Sequence, residues 1–198
     1  MTETVIFKRF DAAGAREQRE VVSLIHRDAY AERIATGDAF ASDQAFMTRF
    51  DAYTSRDGFD LVMAYAGDEP LGQAWGWPLP PDTRWWNGLE AEPEPDFTAE
   101  DGARTFALSE IMVRRAWTGQ GIAHALHDEL LAGRGERRAT LLVRPENSTA
   151  YAAYVQWGWQ PVARLRPGWP DAPLMDVLIL PLPLAQSRSM QHRDAPDG

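Results

Sequence analysis

The segment from Val113 to Ala123, V-R-R-A-W-T-G-Q-G-I-A, constrains the fold more than any other stretch of this chain. It leaves an apolar run, crosses a short turn and enters an amphipathic helix through two glycines. Gly119 and Gly121 lack a Cβ, so the backbone there can take positive φ and come close to a ligand. Unpaired N–H groups at a helix start attract an anion, and the helix dipole adds roughly 0.3–1 kcal/mol. The local physics is that of a phosphate cradle. A glycine turn can also do no more than pack a helix onto a sheet, so the reading needs a second segment.

That segment is Asn147 to Trp159, N-S-T-A-Y-A-A-Y-V-Q-W-G-W. Together the two resemble the acetyl-CoA-binding core of the GCN5-related N-acetyltransferases (GNAT). In that family the first motif reads Q/R-x-x-G-x-G/A, and here Thr118 to Ala123 supply T-G-Q-G-I-A. The second reads N-x-x-A-x-x-x-Y-x-x-x-G-F, matched by Asn147, Ala150, Tyr154, Gly158 and Trp159. The resemblance covers roughly residues 106–182. Thr118 stands where the family usually has Gln or Arg, so one pyrophosphate contact is weakened or replaced.

The chain has 198 residues, enough for one domain with a sizeable core. We assign 1–184 to a single domain and 185–198 to a disordered tail. The absence of cysteine excludes disulfides, thiolate metal sites and a cysteine nucleophile. No apolar run approaches the roughly 20 residues of a membrane helix. Met1 to Phe10 lacks a signal-peptide pattern, so a cytoplasmic location with no membrane partner is expected. A net charge of −9 argues against nucleic acid as a partner. It suits a cationic small substrate, although an acidic surface more often serves solubility.

Apolar periodicity predicts strands over 4–10, 59–66, 71–77, 105–113, 139–143, 159–165 and 174–180. It predicts helices over 15–34, over 43–53 behind the cap Ser42, over 121–132 ending at Gly133, and from Asn147 to near Gly158. Asp68-Glu69-Pro70 reads as the turn of a hairpin. Residues 79–104 break the pattern. They hold four prolines, Trp85 and Trp86, and seven acids against two arginines, and read as a long acidic loop, either a lid or disordered.

The resemblance implies an α/β structure of the α+β type. Its mostly antiparallel sheet of six or seven strands is flanked by helices, with a V-shaped splay between two central parallel strands. It implies transfer of an acetyl group from acetyl-CoA to a primary amine by direct attack, with no metal. The cofactor residues would be Thr118, Gly119, Gln120, Gly121, Ile122 and Ala123 around the phosphates. Met112 and Val113 would hold the pantetheine arm through their backbone, with Asn147 and Tyr154 beside it. Tyr154 would hydrogen-bond the sulfur and protonate the leaving thiolate. A phenol titrates near 10 and a thiol near 8.5, so full transfer is uphill by about 2 kcal/mol; a hydrogen bond that strengthens with developing charge is the safer role. A core tyrosine with a satisfied hydroxyl, and a helix cap at Asn147, are the plainer alternatives.

Glu110 is the candidate base or substrate ligand. Alternation places Glu110 with Met112, opposite Ser109, Ile111 and Val113, and a bulge would re-aim it. A water chain or an acid from 79–104 would serve otherwise. Trp75 and Trp77 share one strand face and, with Trp85, Trp86 and Trp169, are candidates for an amine pocket through cation–π contacts or for ordinary packing. His124 and His127 have metal-compatible i, i+3 spacing without an evident third ligand, and read better as an exposed polar face. A small-molecule amine is the expected acceptor. A peptide amine, or a non-catalytic acyl-CoA sensor, are the alternatives. No G-K-S/T follows the glycines, which disfavours a nucleotide-binding module. Members of the family are often dimers, so a homodimer is the partner to test for.

Overall fold

The computed structural model describes residues 4–168 and 171–184; the expected tail, 185–198, and Trp169 lie outside them. Seven strands form one sheet in the order β1-β2-β3-β4-β5-β7-β6. β1 (Val5–Asp11), β2 (Asp60–Ala66), β3 (Glu69–Pro78) and β4 (Thr105–Val113) make an antiparallel half. β5 (Arg138–Val143), β7 (Met175–Pro181) and β6 (Gln160–Leu165) make the other. The halves meet in the parallel pair β4–β5, as the resemblance implies. That pair is short: Thr105 faces Arg138, Phe106 faces Ala139 and Ala107 faces Thr140. Beyond Ala107 and Thr140 the strands run on without pairing, and the sheet opens into a V toward their C-terminal ends.

The closed end of the V is held by side chains. Arg138, which opens β5, donates to the Thr105 hydroxyl (2.8 Å), the Phe97 carbonyl (2.6 Å) and the Glu100 carboxylate (3.1 Å). The same carboxylate oxygen accepts from Thr105 (2.8 Å) and from the Trp86 indole (3.1 Å). Both charges are buried, and burial is tolerable because each has several partners. Glu100, Trp86 and Phe97 all belong to the 79–104 segment. This acidic stretch is therefore anchored against the sheet, with a lone bridge from Leu89 to Leu165, and contains no regular strand or helix. Its prolines and turns explain the missing elements, and its buried aromatics explain its fixed position.

The helix expected over 15–34 is three helices, α1 (Ala12–Glu17), α2 (Arg19–Ala29) and α3 (Ala31–Ala35). The breaks fall at Gln18 and Tyr30, whose ψ angles are 7° and 15°. α1 packs on β1 and β2, whereas α2 packs on β3 and β4, and one straight rod could not follow the twist between them. α4 (Asp43–Tyr53) starts at Ser42, whose hydroxyl accepts the Ala45 N–H at 3.2 Å. Ser23 donates to Asp43 at 3.0 Å and ties α2 to α4. The hairpin turn lies one residue earlier than expected, at Gly67 with φ +56°, so Glu69 and Pro70 already belong to β3.

The sheet divides the core in two. On one face α1, α2, α4 and the acidic segment cover Leu61, Met63, Trp75, Trp77, Ala107 and Met112. On the other, α5 (Ile122–Leu131) and α6 (Ser148–Gln156) cover Val62, Ala74, Phe106, Leu108, Leu141 and Leu178. Burying each such side chain contributes about 1.5–3 kcal/mol. No helix among the described residues is long and apolar enough to cross a membrane.

Candidate active site

The glycine turn at the mouth of the V is built from backbone. A single 3-10 turn, Arg115–Trp117, ends β4. Thr118 turns its hydroxyl back onto the Arg115 carbonyl (2.9 Å), and Gln120 turns its amide onto the Ala116 carbonyl (3.3 Å). Both side chains thus brace the turn. Gly119 and Gly121 take φ +74° and +79°, which L side chains avoid. The space where a Cβ would stand is open at both. Gly121 is the N-terminal cap of α5 and offers no side chain, so the N–H groups of Ile122, Ala123 and His124 receive no side-chain cap. These features fit a phosphate-bearing cofactor.

β4 carries a bulge at Ser109, because Trp75 faces Glu110 while Gly76 faces Leu108. The extra residue shifts the alternation. Phe106 and Leu108 face α5, Ala107 and Met112 face α2, and Glu110 joins the α2 face. Its charge acts on Tyr30 and Tyr53, and the Arg33 and Arg49 guanidinium groups act on it. Burial pushes Glu110 up to about 7, and the two guanidinium groups offset only part of this. Burial likewise pushes the Tyr30 phenol up to about 12, with Glu110 adding to it. Tyr53 is raised for the same reasons, and Ser109 counteracts them in part through a hydrogen bond.

Tyr154 packs on the opposite face of the sheet. It lies on α6, packs edge-on to Trp157 and Trp159 at 5.6 and 6.3 Å between ring centres, and is close enough to Tyr30 and Glu110 for their charges to act on it. Its hydroxyl is held far above the ordinary phenol value, chiefly by burial. Asn147 caps α6 by accepting the Ala150 N–H at 3.4 Å and is exposed.

Trp75 and Trp77 lie beneath the site rather than at its surface. Trp75 is fully buried and packs against Phe46 and Phe50, while Trp77 stacks on Tyr53 at 4.7 Å. Tyr30 and Tyr53 are the residues that sequence reasoning missed. Each ends a helix, and a polar aromatic closing an apolar stripe is the one local hint they carry.

His124 is exposed as expected, but His127 is buried. The Trp159 indole N–H donates to its Nε2 at 2.9 Å, so the ring proton sits on Nδ1 and is donated to Asp128 at 2.8 Å. Both nitrogens have partners, which is why the ring can be buried. Asp128 is the third potential ligand the sequence did not reveal, completing a group of three within 4.8 Å. The His127 nitrogens are already engaged, and no argument for a metal follows.

A mixed sheet split between two parallel strands, with an uncapped glycine turn at the mouth of the split, is the architecture of an acyltransferase. Residues 24–159 match the acetyltransferase (GNAT) family, and the chain belongs to it. Solved structures agree in fold. The ribosomal-protein-S18-alanine N-acetyltransferase of Escherichia coli is 16% identical with a TM-score of 0.60, covering 94% of this chain and 99% of that one. The PaiA N-acetyltransferase of Thermoplasma acidophilum, in complex with coenzyme A, is 12% identical with a TM-score of 0.55, covering 90% and 99%. An aminoglycoside N-acetyltransferase in complex with CoA is 14% identical with a TM-score of 0.58, covering 87% and 98%. Identities this low speak for the fold alone. No curated protein matches the sequence.

Proposed function

We propose that the protein transfers the acetyl group of acetyl-CoA to the primary amine of a small molecule. The observation that carries this reading is the opening between β4 and β5, with the glycine turn at its mouth and with Glu110 and Tyr154 on the two faces of the sheet. Acetyl-CoA supplies an activated acyl thioester. Gly119 to Ala123 would hold its phosphates through backbone N–H groups, with Thr118 and Gln120 bracing the turn. Met112 and Val113, which pair with β3 but lie beyond the pairing with β5, would hold the pantetheine arm through their backbone on the open side.

Glu110 takes a proton from the incoming ammonium, since a carboxyl titrating at about 7 is half ionised at neutrality. The freed nitrogen attacks the thioester carbonyl, the carbon–sulfur bond breaks with its electron pair leaving on sulfur, and the surplus proton on nitrogen passes through solvent to the thiolate. Tyr154 donates a hydrogen bond to that sulfur. Its raised pKa argues that the phenol stays neutral throughout and works by stabilising developing charge, not by giving up its proton. Release of CoA thiol across an amine panel tests the reading. Turnover on at least one amine, lowered about tenfold or more in Tyr154→Phe, is expected. Stabilisation by acetyl-CoA without thiol release from any amine would overturn it in favour of a binding module.

A further inference from the structure

The surroundings of Glu110 hold more positive charge than proton abstraction needs. Arg33 on α3 lies 5.4 Å from the Tyr30 ring centre and is already paired with Asp38. Arg49 on α4 stacks on Phe40 at 3.9 Å and donates one bond to the Phe40 carbonyl at 3.0 Å. Arg144 directly follows β5. It shares the face of Leu142, which packs into the α2-side core, and it is partly buried. Among the described residues neither Arg49 nor Arg144 has a carboxylate within ion-pair distance. This occurs in a chain where acids outnumber bases 29 to 20. All three guanidinium groups act on Tyr30, and Arg33 and Arg49 act on Glu110 as well.

We propose that the acceptor is a small amine that also bears a carboxylate, as an amino acid does, with its ammonium at Glu110 and its carboxylate held by Arg144 and Arg49. A guanidinium presents paired donors in the geometry of a carboxylate, and a half-buried one without a partner is well placed to receive it. The same groups repel a second or third ammonium, so polyamines and other polycationic acceptors are rejected. The inference rests on the acetyltransferase reading for the placement of the amine, but it can be tested separately.

Binding of N-acetylated products to the CoA-loaded protein provides the test, measured by titration calorimetry. Three matched pairs are used: N-acetylalanine with N-acetylethylamine, N-acetylleucine with N-acetylisopentylamine, and N-acetyltyrosine with N-acetyltyramine. The carboxylate member of at least one pair is expected to bind tenfold tighter or more. That advantage should be lost in Arg144→Gln, reduced in Arg49→Gln and partly kept in Arg144→Lys, which retains charge without the fork. The rise in Tm with CoA reports that each variant is folded with a working cradle. Equal binding within every pair, absence of binding by all six, or a preference that survives both Gln variants would overturn the proposal. Thiol release with the free amines separates the two readings. Turnover of simple amines or polyamines without carboxylate preference keeps the transferase and removes this inference. Carboxylate-dependent binding without any turnover does the reverse.

Discussion

The two sides of the V are made of different materials. The cradle side is backbone: two glycines at positive φ, an uncapped helix start, and side chains that brace the turn from behind. The acceptor side is made of side chains: Tyr30, Tyr53, Glu110 and the arginines around them, drawn from α2, α3, α4, β4 and the end of β5. On the proposed function, the backbone side would bind what every acyl-CoA donor carries, a pyrophosphate. A side-chain site can be rewritten residue by residue. On the proposed function, the contrast separates the part of the molecule that would fix the reaction from the part that would choose the acceptor.

The largest expected effect lies on the acceptor side. Glu110→Gln should lower kcat/KM at pH 8 by about 100-fold or more, in the range of a general base, without weakening acetyl-CoA binding. The wild-type profile of kcat/KM should rise with pH through about 7, since the base must be ionised. A flat profile between pH 6 and 8 would move the base to another group. Gly121→Val comes next and should do the converse. A β-branched residue at φ +79° is strained by about 1–2 kcal/mol, so acetyl-CoA affinity should fall about tenfold while kcat at saturation stays within a few-fold. If both kinetic constants collapsed together, the two sides would not be separable.

Smaller effects sharpen the contrast through stability. The Glu110 carboxyl keeps its proton up to about 7 in the folded chain, while an unfolded one releases it near 4.5. Folding therefore takes up a proton between those values, and the stability this contributes is lost as pH rises through the window. Glu110→Gln should raise Tm at pH 8 and do less at pH 5, as thermal melts at the two pH values would show. Asn147→Ala should cost about 1 kcal/mol in chemical denaturation from loss of the α6 cap, with acetyl-CoA affinity unchanged if capping is its whole role.

The glycine turn was legible in the sequence because it is local. Strand, turn, glycines and helix follow one another within Val113 to Ala123, and backbone rules act over that range. The mostly antiparallel sheet and its parallel joint came through the family resemblance, while the strand order appears only in the folded chain. Of the proposed acceptor side only Glu110 was a candidate in the sequence, because the other members are separated from it by dozens of residues. The location of the bulge was equally hidden, since nothing in A-L-S-E-I-M-V marks Ser109 as the extra residue. His127 was misplaced for a related reason: its burial depends on Trp159, 32 residues further along. Reading 15–34 as one helix followed the apolar stripe correctly and missed the curvature of the surface beneath it.

The bulge at Ser109 makes chain length in β4 a functional variable. The side chain of residue 109 can be exchanged with modest consequence, but the number of residues between Leu108 and Glu110 cannot. Deleting Ser109 restores strict alternation and swings either Glu110 or the paired end of β4 to the wrong face. Single-residue insertions and deletions should therefore be purged from this strand far more strictly than substitutions. The acidic segment 79–104, which has no register to keep, should tolerate them away from its anchors Trp86, Phe97 and Glu100.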